Sequence, residues 1–278
     1  DKFNAENSFY SPAMEQIFNT SARQECYRML GTSEFDLSLE HQGYHPFWVG
    51  IMANINATDH AIYLHNDMVE ESKQRLPNLK RTFQLYKNYE TFINVSNSSM
   101  AINKENFKPI FPELIENFCQ VRNGLDAERI VELASAPSDD PDIEQFNNDV
   151  RFKLINIARM WPEKNQVRLI EMVRVLLDKG QHVSLYVLGT GPLLSVLEAK
   201  IAELGLNDHV FLLGVKRNPF QFLKSADCHV LSSDYEGQGI VLLEAMSLGV
   251  PCVSTNIPGP DNVLENGLGL LTELSPEA

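Results

Sequence analysis

The stretch SSDYEGQGIVLLEAMSLGVP, residues 232–251, lies between two short apolar runs, CHVL before it and CVST after it. Such runs, bounded by turn residues, read as buried strands, while IVLLEAMSLG reads as a helix with a glycine at its stop. Gly237 and Gly239 let the backbone turn sharply and approach a ligand closely. The unit is therefore strand, glycine turn, helix, strand. The first amides of such a helix carry about half a positive charge, which makes the turn a candidate anion seat. Glu236 stands just before this seat and Glu244 about one turn inside the helix. Eight helical residues rise only about 12 Å, so both carboxylates can reach one small ligand. They would repel a phosphate directly, so they suit hydroxyl groups on either side of one, as on a nucleotide sugar whose hexose and ribose flank a diphosphate.

The same alternation extends outward from about residue 151. FKLINIA reads as a strand, NQVRLIEMVRVLLDKG as a helix ending at Gly180, HVSLYVLG as a strand, and GPLLSVLEAKIAELG as a helix with Pro192 in its first turn and Gly205 as its cap. HVFLLG, PFQFLKSA, PCVST and GLGLLTE continue the series. A β-α repeat of this kind predicts a parallel sheet with helices on both faces and ligands at the carboxyl ends of the strands. The first part of the chain is sparser. FDLSLE at 35–40, AIYLH at 61–65 and TFINVS at 91–96 read as strands, separated by helices near 45–56 and 66–88. The turn-rich and acidic stretch at 121–149 suits a linker.

With 278 residues the chain exceeds the roughly 100 to 200 of a usual single domain, so two domains are the default. Their expected bounds are 1–122 and 123–278, the second including the linker. A formal net charge of −14 disfavours nonspecific nucleic-acid binding, and an anionic ligand must rely on a few placed cations. No run approaches the ~20 apolar residues of a membrane span. Membrane association is not indicated, although a basic cluster at Lys73, Arg75, Lys80, Arg81 and Lys87 stands out. Cys26, Cys119, Cys228 and Cys252 have no paired spacing, which predicts buried free thiols and a cytoplasmic setting.

The cations are found in NIARMWPEKNQ, where Arg159 and Lys164 follow directly from a strand. Arginine can grip a diphosphate with two parallel bonds and lysine as a point charge. The plain alternative is a charge pair with Glu163 at the helix entry. Gly189 in LGTGPL lacks the third glycine of a dinucleotide turn, which argues against NAD. His41 and His45 are four apart, but Gly43 interrupts any helix between them, so a metal site is disfavoured. Trp48 reads as core, and Trp161 as packing beneath the Arg159 turn.

The run 155–271 resembles the donor-binding domain of a retaining GT-B glycosyltransferase of glycosyltransferase family 4. Glu236 and Glu244 match the family's pair of glutamates, Arg159 and Lys164 its cation pair, and LGTGPL its inter-strand turn. NGLD at 123–126 is similar to the family's passage between domains, and IYLHND at 62–67 to a strand ending in a cleft-facing histidine. The likeness implies an α/β GT-B fold, two Rossmann-like parallel-sheet domains facing a cleft, the N-terminal one incomplete for want of its glycine-rich acceptor loop. It implies that Glu236 orients the donor sugar and Glu244 holds the ribose. Arg159 and Lys164 would bind the diphosphate with the amides near Gly237, Gln238, Gly239 and Ile240; Gly189 would line the donor site, and His65 would face the sugar. Gln238 stands where the family often has an aromatic.

The expected activity is transfer of a hexose from a nucleotide sugar, uridine-linked, to a hydroxyl of a glycan, polymer or protein acceptor such as a bacterial cell-surface polymer, without an essential metal or other cofactor. A UDP-sugar epimerase and a noncatalytic nucleotide-sugar-binding or scaffold subunit remain as alternatives.

Overall fold

The computed structural model describes residues 12–276 apart from 75 and 78. Arg75 of the basic cluster thus lies outside the described residues. Two compact units are present, Asp1–Arg122 and Asn123–Ala278. Each is built on a wholly parallel sheet, so the α/β class with two Rossmann-like domains is what the chain adopts.

Among the described residues the second unit holds six strands, numbered in chain order after the four of the first unit: β5 (Phe152–Ile157), β6 (Val183–Leu188), β7 (Val210–Gly214), β8 (Cys228–Leu231), β9 (Cys252–Thr255) and β10 (Leu270–Thr272). Their order is β10-β9-β8-β5-β6-β7. The chain runs outward from β5 to β7, then returns to the other side of β5 and runs outward again. This reversal sends the crossover helices to opposite faces, because each right-handed connection fixes the side of its own helix. Alternate strand residues accordingly feed two cores. Leu154, Leu185, Val187 and Val230 pack with Leu169, Ile170, Val173 and Leu197, whereas Ile155, Tyr186, Leu188 and Leu231 pack with Phe222, Leu242, Ala245 and Phe146.

Phe146 corrects the expected linker. The stretch 121–149 folds into helices Ala127–Ser135 and Asp142–Asn148, and the Phe146 ring is fully buried at 4.5 Å from that of Tyr186. Asp126 starts the first helix by accepting a hydrogen bond from the Arg129 amide, and Ile130 and Ala134 are its buried face. Acidic composition hid two helices whose apolar residues are few but periodic.

In the first unit, β1 (Phe35–Glu40), β2 (Ala57–Leu64), β3 (Thr91–Asn94) and β4 (Phe118–Gln120) lie in simple sequence order. Three right-handed crossovers in one direction place their helices on one face. On that face Ile62, Leu64 and Phe92 pack with Val49, Phe83, Tyr86 and Phe107, while Phe35, Leu37 and Leu39 of β1 are exposed. The helix Pro12–Leu30 and β4 had no sequence expectation. The helix expected over 66–88 is instead Met68–Gln74, Leu79–Phe83 and a 3₁₀ turn at Tyr86–Asn88, with Pro77, which lacks an amide hydrogen, in the gap. Trp48 is about half exposed rather than core, and Cys119 is an exposed thiol while Cys26, Cys228 and Cys252 are buried. No described helix is long and apolar enough to cross a membrane.

His229 in β8 is wholly buried, lies in register with Ile155 and Cys252, and has no hydrogen-bond partner for either ring nitrogen among the described residues. Burial lowers its pKa from 6.5 to about 4. As pH falls below about 6.5, the unfolded chain takes up this proton and the folded chain does not, so stability present above that pH is lost down to about pH 4. The loss attributable to this group is roughly 3 kcal/mol. Urea unfolding of the wild type and His229→Leu across this range should show the difference in stability between them changing by that amount, with the wild type the more acid-sensitive.

Candidate active site at the strand reversal

The reversal of strand order between β5 and β8 sets the place where a ligand can enter, because the two connections leave the sheet in opposite directions there. The ladder between these strands holds at Leu154↔Cys228 and Ile155↔His229. One residue further on, the buried Asn156 side chain donates 2.8 Å to the Val230 carbonyl, bridging the strands beyond those register pairs. Beyond this amide the loops 158–165 and 232–239 face each other.

Lys164 and Glu236 meet across this opening in a direct ion pair, both largely buried, and Ser233 Oγ lies 3.5 Å from the same carboxylate oxygen. A second layer fastens the two loops. Ser232 Oγ donates 2.8 Å to the Lys164 carbonyl, and the Asp234 amide donates 2.9 Å to the Glu163 carbonyl. The Arg168 guanidinium donates 2.7 Å to the Ser232 carbonyl and 2.8 Å to the Asp234 carboxylate, which also accepts from the Asn165 amide group. Asn165 holds a left-handed backbone (φ 45°) at the junction of the 3₁₀ turn Pro162–Lys164 and the helix Gln166–Asp178. Sequence reasoning passed over Asn165, Arg168, Ser232 and Asp234. The polar run Ser-Ser-Asp after an apolar strand was the available signal.

Arg159 extends outward, with its side chain 55% exposed, 3.5 Å from the buried Glu163 and 5.8 Å above the Trp161 ring. The helix-entry pair with Glu163 is thus formed, yet the guanidinium retains an open face. Gln166 is fully buried and donates 2.9 Å to the Arg159 carbonyl, fixing the backbone from which that side chain springs.

The glycine turn is shaped by contact from outside it. Gly239 has φ 74° and precedes the helix Ile240–Ser247, whose first amides have no side-chain cap. A Cβ on Gly259, itself at φ 99°, would lie 2.6 Å from the Gly237 carbonyl oxygen and 2.7 Å from that of Glu236. The 259 loop therefore presses directly on the seat. Ile240 is partly exposed at the helix entry. Gln238 points the other way: its buried side chain accepts a 2.9 Å hydrogen bond from the Asn123 amide, so only its backbone is available to a ligand. Glu244 is half-buried, has no hydrogen-bond partner among the described residues, and has its pKa raised by desolvation.

Gly189, with φ 140°, packs against the β5 loop: a Cβ there would lie 2.0 Å from the Ala158 carbonyl oxygen. Its glycine is required by this packing. His65 belongs to the first unit, at the carboxyl end of β2, beside His41 and Tyr63. His45 caps the helix Pro46–Met52, its Nδ1 accepting from the Phe47 amide. No group of three or more metal-ligating side chains is assembled among the described residues.

The family model described as Glycosyl transferases group 1 matches residues 139–277, half of the chain. An uncharacterized glycosyltransferase of Methanocaldococcus jannaschii is 30% identical over 212 residues, covering 75% of this chain and 51% of that protein. The UDP-Gal:alpha-D-GlcNAc-diphosphoundecaprenol alpha-1,3-galactosyltransferase of Escherichia coli is 23% identical over 257 residues, 90% of this chain and 65% of that one. The chain thus spans about half to two thirds of these relatives. Among solved structures, Anabaena HepE in complex with UDP and glucose superposes with a TM-score of 0.72 at 20% identity, over 95% of this chain and 69% of that one, a likeness of fold. The chain belongs to the group 1 glycosyltransferases.

Proposed function

We propose that this protein is a retaining hexosyltransferase of glycosyltransferase family 4 that takes its sugar from a UDP-linked donor and passes it to a hydroxyl of a bacterial cell-surface glycan or polymer. The observation that carries the reading is the Lys164–Glu236 pair at the strand reversal, beside an uncapped helix entry. A diphosphate placed at the glycine turn meets Lys164, the open face of Arg159 and the backbone amides from Gly237 to Ile240. Lys164 then moves its charge from the carboxylate to phosphate. Glu236, relieved of its ion pair, accepts hydrogen bonds from hydroxyls of the sugar.

Transfer breaks the bond from the anomeric carbon to the terminal phosphate oxygen and forms one to the acceptor oxygen, whose proton leaves with the departing diphosphate. Negative charge grows on the leaving group. Fixed cations and amides aimed at that charge are the largest contribution such a site makes. Two side-chain cations supply it, so the reaction needs no metal ion. Glu244, half-buried and unpaired among the described residues, is suited to the ribose hydroxyls. The UDP and acceptor assignments draw support from the relatives: the E. coli enzyme's name gives UDP-galactose as donor and a lipid-linked GlcNAc diphosphate as acceptor, and the HepE structure holds UDP and glucose.

Calorimetric titration with UDP, GDP and their glucose conjugates should show UDP binding without added metal and unaffected by a chelator; no nucleotide binding would refute the reading. Glu244→Ala should weaken UDP by about tenfold to a hundredfold, the worth of hydrogen bonds to a charged group. In the wild type, UDP affinity should rise as pH rises through the elevated Glu244 value, because donated hydroxyls favour the ionised form and binding releases a proton. Glu244→Gln should abolish that dependence. Glu236→Ala should leave UDP affinity nearly intact while kcat falls about a hundredfold or more, the scale of a lost transition-state contact. Gly259→Ala, which forces a Cβ onto the Gly237 and Glu236 carbonyls, should weaken UDP while circular dichroism retains the α/β signature.

A further inference from the structure

A turn with glycine on both sides of its middle residue has little reason of its own to hold still, because glycine loses more backbone freedom on ordering than any other residue. Gly237, Gln238 and Gly239 are nonetheless all buried. One restraint is the Gly259 backbone, which presses on the Glu236 and Gly237 carbonyls. A second is Gln238 itself, whose side chain meets the Asn123 amide at 2.9 Å. A main-chain N–H only donates, so the atom facing it is the side-chain oxygen. Neither an aromatic ring nor an aliphatic chain at 238 could accept this bond with comparable strength.

The Asn123 amide is a firm anchor. Three residues on, Asp126 caps the helix Ala127–Ser135 through the Arg129 amide. The far end of that helix is held in turn. Asn218 donates 2.7 Å to the Leu133 carbonyl, Gln221 donates 2.8 Å to the Ala136 carbonyl, and Lys224 donates 2.9 Å to Ser135 Oγ. Asn123 and Gln238 both belong to the second unit, so the whole chain of contacts lies inside it.

We infer that Gln238 is a positioning residue for the anion seat: its side chain bolts the middle of the glycine turn to the Asn123 amide and so holds the 237–240 backbone amides in the arrangement that receives a diphosphate. That the anion is the diphosphate of a nucleotide rests on the donor reading above; the bolt does not. Gln238 acts through its backbone, with its side chain turned to protein. Two glycines ordered before the ligand arrives need not be ordered by it, which is how a preorganised site gains affinity. The gain belongs to the phosphates, so a ligand without them has no share in it.

Amide hydrogen exchange followed by NMR in the ligand-free chain should show the Asn123 amide exchanging about tenfold more slowly than that of the exposed Gly124, after correction for sequence. Equal rates would overturn the bolt. Gln238→Met keeps the length of the side chain and removes its strong acceptor. It should bring Asn123 to the rate of Gly124 and weaken UDP by about threefold to tenfold, the worth of one hydrogen bond, while uridine affinity in an NMR titration stays at the wild-type level. Unchanged UDP affinity, or an equal loss for uridine, would overturn the positioning role. Asn123→Pro deletes the donor from the other end and should weaken UDP by the same factor. The double variant should lose no more than either single one; additive losses would break the link between the two residues. Inorganic pyrophosphate probes the seat without a nucleoside. If the wild type takes pyrophosphate but not UDP, the donor reading fails, and the comparison of Gln238→Met with wild type on pyrophosphate decides the bolt. If it takes neither, the positioning role falls with the seat.

Discussion

Two neighbouring strands, β5 and β8, lie side by side yet hand the chain on in opposite directions, and much of the second unit depends on that divergence. It puts helices on both faces and gives the sheet two cores. It also leaves a gap at the carboxyl ends where neither connection can cover the other. Asn156 marks the margin of that gap. Its amide reaches the Val230 carbonyl after the last register pair of the ladder, so the opening begins at a defined depth rather than fraying down the strands.

A largely buried lysine and carboxylate held together are costly to desolvate, and removing one partner strands the other. The Lys164–Glu236 pair is tolerable because the loops bearing it are held by contacts that do not depend on it. Arg168, Asn165, Asp234 and Ser232 tie loop to loop. The two loops are therefore fastened to each other independently of the pair. Gly259 adds a third wall against the turn, and that closeness excludes any side chain there.

The second unit was largely legible in the sequence because its strands are buried on both sides and read as continuous apolar runs, as VSLYVL in β6 does. Lys164 and Glu236 were legible for a different reason: charges placed directly after such runs must sit at strand ends. What stayed hidden depended on the third dimension. Asp234 and Arg168 are 66 residues apart, and no local pattern joins them. Equally hidden was that the Gln238 side chain accepts from the Asn123 amide, 115 residues away. The helices at 127–148 were masked by acidic residues on their outer faces. In the first unit one-sided burial weakened the signal, so β4 with its three residues went unread.

The one-sided sheet of the first unit also bears on how molecules of this protein behave in a crowd. Phe35, Leu37 and Leu39 form an exposed apolar stripe on β1, which among the described residues is one margin of that sheet. Such a strand invites its own kind to stack on it, and natural proteins discourage this with charge. Glu34 and Asp36 flank Phe35, and Asp59 stands in register beside Leu37. The excess of acid in the composition, −14 overall, then reads as colloidal protection: like charges concentrated where sticking would otherwise start.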